Sequence, residues 1–167
     1  EKVCTAVDLN RGAKIGLRWR FGPIDLMNKH GESEVSRLVK QYANLYKENA
    51  PSGIKAENWK MEFVTLSIQG SVACITMSRP EDMNALNEDV VKQLDVKFTE
   101  AENDSNVKTI ILTGSGKAFV AGADIKFFVK NIKQNAINNI VSFTKYGQDV
   151  LQKIDQSSKK VVAILNG

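Results

Sequence analysis

Between Val64 and Leu165 the chain alternates short β-branched runs with stretches of helical period, and few folds accept that order. Val64, Leu66 and Ile68 alternate with Thr65, Ser67 and Gln69, the period of a half-buried strand. Gly70-Ser71 suits a tight hairpin turn, and Ala73, Ile75 and Met77 continue on the returning strand until Arg79-Pro80 stops it. Asn87 can cap a helix with Glu88 and Asp89 in its first turn and a buried stripe of Val90, Val91, Leu94, Phe98 and Ala101. Val107–Thr113 is apolar without alternation, the pattern of a strand covered on both faces, and Val161–Leu165 reads the same way. A long helix over 135–156 separates them, with Ile137, Ile140, Val141, Thr144, Gly147, Leu151 and Ile154 on its buried face. Hairpin, helix, strand, helix, strand is the order of crossovers in a largely parallel sheet, so the class is α/β. Parallel strands are normally covered on both sides, and the reading expects further structure beyond Gly167.

Residues 1–48 read as a small all-α segment. Asp8 is expected to cap a helix running to Leu17, and a second helix starts at Gly22-Pro23 and ends at Gly31. Ser33 is expected to cap a third, whose buried face is Val35, Leu38, Val39, Tyr42, Leu45 and Tyr46. Trp19 and Phe21 are read as packing residues, with an interface role as the alternative. The Asn49–Gly53 stretch breaks the pattern, so 49–61 is read as a linker and 62–167 as a second domain.

Composition removes several functions. The 167 residues, 43% apolar and 25% charged, fit a globular protein, and no apolar run nears the roughly 20 residues that span a bilayer. The 23 basic residues are dispersed, which is the pattern of a solvated surface and not of a nucleic-acid footprint. One histidine and two isolated cysteines supply no metal pattern, and Cys4 and Cys74 are read as reduced thiols of a cytoplasmic protein.

Chemistry concentrates in the loop from Thr113 to Lys126, which follows a strand and leads into a helical turn at Asp124. Ala121, Gly122 and Ala123 leave backbone N–H groups uncovered, able to bind an oxyanion or a phosphate. A Walker loop fails because Ile111 and Ala118 stand where glycine and a hydroxyl are needed. A dinucleotide fingerprint from Gly114 fails because Phe119 replaces its third glycine. A ligand-free glycine-rich turn remains the bland alternative.

Five segments then fall together in order: Ser78-Arg-Pro80, Met83-Asn-Ala-Leu-Asn87, Ile111–Gly116, Lys117–Ile125 and Val161–Gly167. With these, residues 62–167 resemble the N-terminal half of the enoyl-CoA hydratase/isomerase, or crotonase, family. Lys160 departs from a common proline, and Leu165 from a smaller residue. The resemblance implies an incomplete crotonase-like fold, a β-hairpin followed by ββα-type crossovers, with an acyl-coenzyme A thioester as substrate. It implies that the Ala123 N–H is one of two donors to the thioester oxygen. Lys117 and Lys126 match basic positions near the coenzyme A phosphates, and Ala85, Leu86 and Ala121 match backbone-lined parts of the groove. Gly122 and Asp124 join that coenzyme A set, Asp124 with helix capping as its alternative role. The second donor and the acid/base glutamates of a hydratase are expected beyond Gly167, so none of Glu81, Glu88, Glu100 or Glu102 takes that role.

Ile15-Gly-Leu-Arg-Trp-Arg-Phe-Gly-Pro-Ile-Asp-Leu26 resembles, more loosely, the C-terminal helical end of 3-hydroxyacyl-CoA dehydrogenases, over about residues 8–47. The joint resemblance implies a piece of a bifunctional enzyme of fatty acid metabolism, a lyase and an oxidoreductase, the piece itself inactive. NAD would enter only through an upstream domain, and no metal is implied. His30 is then a structural residue and not the catalytic histidine. Alternatives are a piece of an enoyl-CoA isomerase or a non-catalytic interaction module. A homo-oligomer, neither nucleic-acid- nor membrane-bound, is expected.

Overall fold

A computed structural model describes residues 3–51 and 54–167. Part of the expected linker, Ser52-Gly53, lies outside the described residues. The chain divides into two compact units, Glu1–Glu62 and Phe63–Gly167.

The first unit is helical. Helix α1 spans Ala6–Gly16 and is capped by Thr5, not by Asp8: the Thr5 hydroxyl accepts the Asp8 N–H at 3.0 Å and donates to its carboxylate at 2.7 Å. Asp8 instead contributes charge in the first turn, where the helix dipole favours it. Helix α2, Pro23–Tyr46, is interrupted at Gly31, whose φ of 78° breaks the helical path where the sequence predicts an end. Its start is capped from α1, because the buried Asn10 side chain accepts the Asp25 N–H at 3.1 Å. Among the described residues the Ser33 hydroxyl makes no hydrogen bond, so the predicted cap is absent.

Ile24, Val35 and Trp59 form the core of this unit. Trp59 sits in a 3₁₀ turn, Ala56–Trp59, within the stretch read as linker. The predicted stripe on α2 is largely unburied: Val35 is covered, whereas Leu38, Tyr42, Leu45 and Tyr46 are exposed. Trp19 and Phe21 are likewise exposed, with Arg20 and Lys29 stacked against the Phe21 ring instead of a packed core. Helical spacing records which residues share a face, and not whether another element covers it.

The second unit is α/β. Strands β1 (Val64–Gln69) and β2 (Val72–Met77) form the predicted hairpin in the register Val64↔Met77 to Gln69↔Val72. Helix α3 (Glu88–Asn103) crosses to β3 (Thr109–Gly114), which pairs parallel with β2. Helices α4 (Ile125–Lys133) and α5 (Ile137–Asp155) lead to β4 (Lys160–Ile164), parallel to β3, giving the order β1-β2-β3-β4.

Asn87 caps α3 through the Val90 N–H, and the stripe Val90, Val91, Leu94, Phe98 and Ala101 is buried as expected. It packs on β1 and β2, where Val64, Ala73, Ile75 and Met77 are buried. Burial of this set is the main apolar stabilisation of the unit.

Two strands differ from expectation. In β3 Ile110, Leu112 and Gly114 are buried and the alternate residues only half so, so one face of the strand is the covered one. Strand β4 is an edge paired with β3 alone, and its residues are half-buried or exposed. The α5 stripe is corrected too: Phe143 and Val150 are its buried residues, while Ile137, Val141 and Leu151 are exposed.

Candidate functional site

The turn after β3 is built around close backbone approach. A Cβ on Gly114 would lie 2.2 Å from the Phe119 carbonyl and 2.4 Å from that of Ala118, so only glycine fits. Two asparagines hold the loop that follows. Asn84, only 1% exposed, donates to the carbonyls of Ser115 (2.9 Å) and Ala118 (2.7 Å) and accepts the Arg79 N–H at 2.7 Å. Asn166 donates to the carbonyls of Gly114 and Gly116, both at 2.9 Å, and tethers the residues after β4 to the same loop.

The second arm of the loop meets the segment before α3 in a single parallel bridge, Leu86↔Ala123. The Leu86 N–H donates to the Gly122 carbonyl and the Asp124 N–H donates to the Leu86 carbonyl, both at 2.8 Å. One step earlier the Ala121 N–H donates to the Met83 carbonyl at 3.1 Å. A parallel bridge of this kind uses the groups flanking its central residue. Ala123 therefore keeps its own N–H, which has no hydrogen-bond partner among the described residues. Gly122, at φ 119°, supplies a backbone turn that side-chain-bearing residues rarely adopt.

Ala123 lines an apolar cavity of about 220 Å³ with Leu86, Leu94, Phe128, Phe143 and Gly147. The rings of Phe127, Phe128 and Phe143 cluster at α4 and α5, with centroids 4.7–6.1 Å apart. Ala123 is exposed, so its unpaired amide beside the apolar hollow is open to a ligand. Such an amide is ready to donate to a ligand oxygen.

Charged groups flank the bridge. Asp124 is buried and caps α4 by accepting the Lys126 N–H at 3.0 Å. Its other carboxylate oxygen lies 3.3 Å from Arg79 Nη2, which also binds Asp82 at 2.6 Å. Arg79 Nη1 donates to the Ala85 carbonyl at 2.7 Å, and its guanidinium stacks on Phe63. The Lys126 ammonium pairs with Asp82 at 2.6 Å, a hydrogen bond and an attraction that hold its pKa above the usual lysine value.

The fold thus assembles Ala85, Leu86, Ala121, Gly122, Ala123, Asp124 and Lys126 in one place. Asp124 is engaged as cap and ion-pair partner, which favours its structural role over ligand contact. Lys117 stands apart on the first arm of the loop, exposed and without an ion pair among the described residues. Arg79, Asn84 and Asn166 lie inside segments that the sequence singles out, yet no role follows from the sequence for them. A buried arginine with three partners is invisible until distant segments are brought together.

The family model of enoyl-CoA hydratase/isomerase matches residues 67–167. The chain belongs to the enoyl-CoA hydratase/isomerase family. Its similarity to the short-chain-enoyl-CoA hydratase of Clostridium acetobutylicum is 41% identity over 107 residues, covering 62% of this chain and 39% of that protein. The crotonyl-CoA hydratase of Syntrophomonas wolfei is 36% identical, covering 64% and 40%. Among solved structures, the enoyl-CoA hydratase of Thermoplasma volcanium superposes with a TM-score of 0.57 at 33% identity, over 63% of this chain and 40% of that one. An enoyl-CoA hydratase/isomerase from Marinobacter aquaeolei gives 0.58 at 32%, over 64% and 42%.

This enoyl-CoA hydratase/isomerase family chain spans about two fifths of the length of the curated relatives it matches. The family model falls on its α/β part, the part that holds Ala123. A coenzyme A thioester fits the family as substrate. Among the described residues no cluster of His, Cys, Asp or Glu could hold a metal ion, and no helix is long and apolar enough to cross a membrane.

Proposed function

We propose that this chain takes part in hydration of a short-chain trans-2-enoyl-CoA, with Ala123 donating its N–H to the thioester carbonyl oxygen. Water adds through its oxygen to C3, the C2=C3 electrons shift toward the thioester, and negative charge grows on the carbonyl oxygen. The added water loses one proton from its oxygen and C2 takes up one proton, so that the elements of one water molecule are added across C2=C3. A fixed backbone donor stabilises that charge without reorganising as it develops. The acyl group occupies the apolar cavity, and Lys117 meets the coenzyme A phosphates as a point charge on a flexible stem. No glutamate of this chain is assigned to the proton transfers.

The unpaired Ala123 amide at the cavity carries this reading. Calorimetric titration with a short acyl-CoA tests it. Saturable binding that weakens in Lys117→Ala supports the groove, and the absence of heat in the parent chain rejects it.

The finer reading joins this activity to NAD-dependent oxidation of the 3-hydroxyacyl-CoA product in one cytoplasmic bifunctional protein. Its support is the resemblance over residues 8–47 and the chemical order, since hydration makes the alcohol that the second step oxidises. Co-purification of 3-hydroxyacyl-CoA dehydrogenase activity with the polypeptide detected by an antibody to this chain tests it. Separation of the two rejects it.

Self-association is the third part of the proposal, favoured by the edge strand β4 and the exposed Ile164 and Leu165 beside it. Sedimentation at micromolar concentration tests it, and a single monomeric species contradicts it.

A further inference from the structure

We infer that Arg79 is the positioning residue of the thioester site, because its guanidinium grips both strands of the Leu86↔Ala123 bridge at once. Nη1 binds the carbonyl of Ala85, the neighbour of Leu86. Nη2 binds the carboxylate of Asp124, the neighbour of Ala123. The two bonded groups come from segments that β3 and α3 separate in sequence, and these segments also meet in the bridge, in the Ala121-to-Met83 bond before it and in the Lys126–Asp82 ion pair. A bridge of one residue pair has no ladder on either side to fix its angle, so a second constraint across it sets where the Ala123 N–H points.

The arginine is itself immobilised. It is 8% exposed, its backbone N–H is held by Asn84, Asp82 binds Nη2, and Phe63 covers the guanidinium face. A planar fork of fixed donors reaches two acceptors in defined directions. A lysine carries the same charge but cannot bind both acceptors with that geometry. Arg79 touches neither thioester nor cavity and acts only through the bridge. Nothing in its surroundings makes it a ligand contact.

This inference rests on the proposed thioester reading, and the test separates the two. The probe is a conjugated dienoyl-CoA, whose absorbance moves to longer wavelength when its carbonyl is polarised. The purified chain is saturated with it and the absorbance maximum of the bound ligand is recorded. If the parent binds without a red shift, the thioester reading fails. If the parent shifts, Arg79→Lys is expected to bind within about threefold of the parent affinity and lose more than half of the shift. A full shift in bound Arg79→Lys overturns the inference and leaves the reading intact.

Asp124→Asn is the second variant, because asparagine still caps a helix but no longer carries the charge facing Arg79. It keeps the test decisive should Arg79→Lys not fold, and a full shift in it overturns the inference. Ile110→Val, remote from the bridge and buried in β3, serves as a mild destabilisation control and should retain the full shift. If the control loses the shift as Arg79→Lys does, the effect is general loosening and the positioning role is rejected.

Discussion

Asn84 and Asn166 close on one carbonyl from two parts of the chain: both side-chain amides donate to the oxygen of Ala118, at 2.7 and 3.4 Å. The loop between β3 and α4 is thus clamped at its middle by residues preceding α3 and following β4. Asn84 also stands at a positive φ of 56°, a conformation asparagine tolerates better than most residues. Asn84→Ala would remove the side-chain partner of the Ser115 carbonyl and of the Arg79 N–H, and would leave the Ala118 carbonyl only the longer bond from Asn166. A loss of about 3 kcal/mol in urea unfolding is expected, since each buried unsatisfied group costs on the order of 1–3 kcal/mol. A loss below about 0.5 kcal/mol would mean that the clamp is dispensable.

The junction between α3 and α5 makes the α/β unit sensitive to pH at both extremes. The Tyr146 hydroxyl donates to Asp95 at 2.7 Å, and Lys153 binds the same carboxylate. Burial and then the Asp95 contact push the Tyr146 phenol from 10.0 up to about 12. A group with a raised folded pKa stabilises fully below its unfolded value and loses that contribution as pH rises through the folded one. Stability should therefore fall between pH 10 and about 12, and Tyr146→Phe should abolish this part of the fall.

At the acid end the sign reverses. Burial pushes the Asp95 carboxyl up, but the hydrogen bonds from Lys153 and Tyr146 and the lysine charge outweigh it and leave it lowered. Its contribution is present above the unfolded value of 3.8 and disappears as pH drops below it. Thermal melts of parent and Asp95→Asn across acid pH should converge, and curves that stay parallel would refute the linkage.

The two tryptophans report on the helical unit separately. Trp59 is 4% exposed and Trp19 is 50% exposed. Iodide quenching should reveal one accessible and one shielded emitter, and Trp19→Phe should remove the accessible one. Trp59→Ala should destabilise this unit by about 3–5 kcal/mol, as loss of a buried aromatic does. Equal quenching of both would place Trp59 at the surface.

How far the sequence could be read follows from what periodicity encodes. The hairpin, the α3 stripe and the break at Gly31 are local matters of alternation, capping and turn chemistry, and they are as expected. Burial of β4, of the α5 stripe and of Leu38 or Tyr42 depends on what covers a face, which no local pattern contains. Thr5 rather than Asp8 caps α1 because both residue types cap and the choice is geometric. At the site, small residues marked the Ala121–Ala123 segment as exposed backbone. The single bridge that frees the Ala123 amide, and the buried Arg79 beside it, required contacts between segments far apart in the chain.

Removing the donor itself has a defined expectation. Ala123→Pro deletes one N–H while both bridge hydrogen bonds belong to its neighbours. Under the proposed hydration, turnover should slow about 100- to 1,000-fold, the usual cost of one oxyanion donor. Unchanged turnover would assign the stabilisation elsewhere.

The most direct measurement is the amide resonance of Ala123 in a ¹⁵N-labelled sample, titrated separately with an acyl-CoA thioester and with coenzyme A bearing a free thiol. A new hydrogen bond to the thioester oxygen should move the Ala123 proton downfield at saturation with the thioester and leave it nearly unmoved with the thiol. An Ala123 resonance that stays in place while the thioester saturates its site would contradict the role given to this amide.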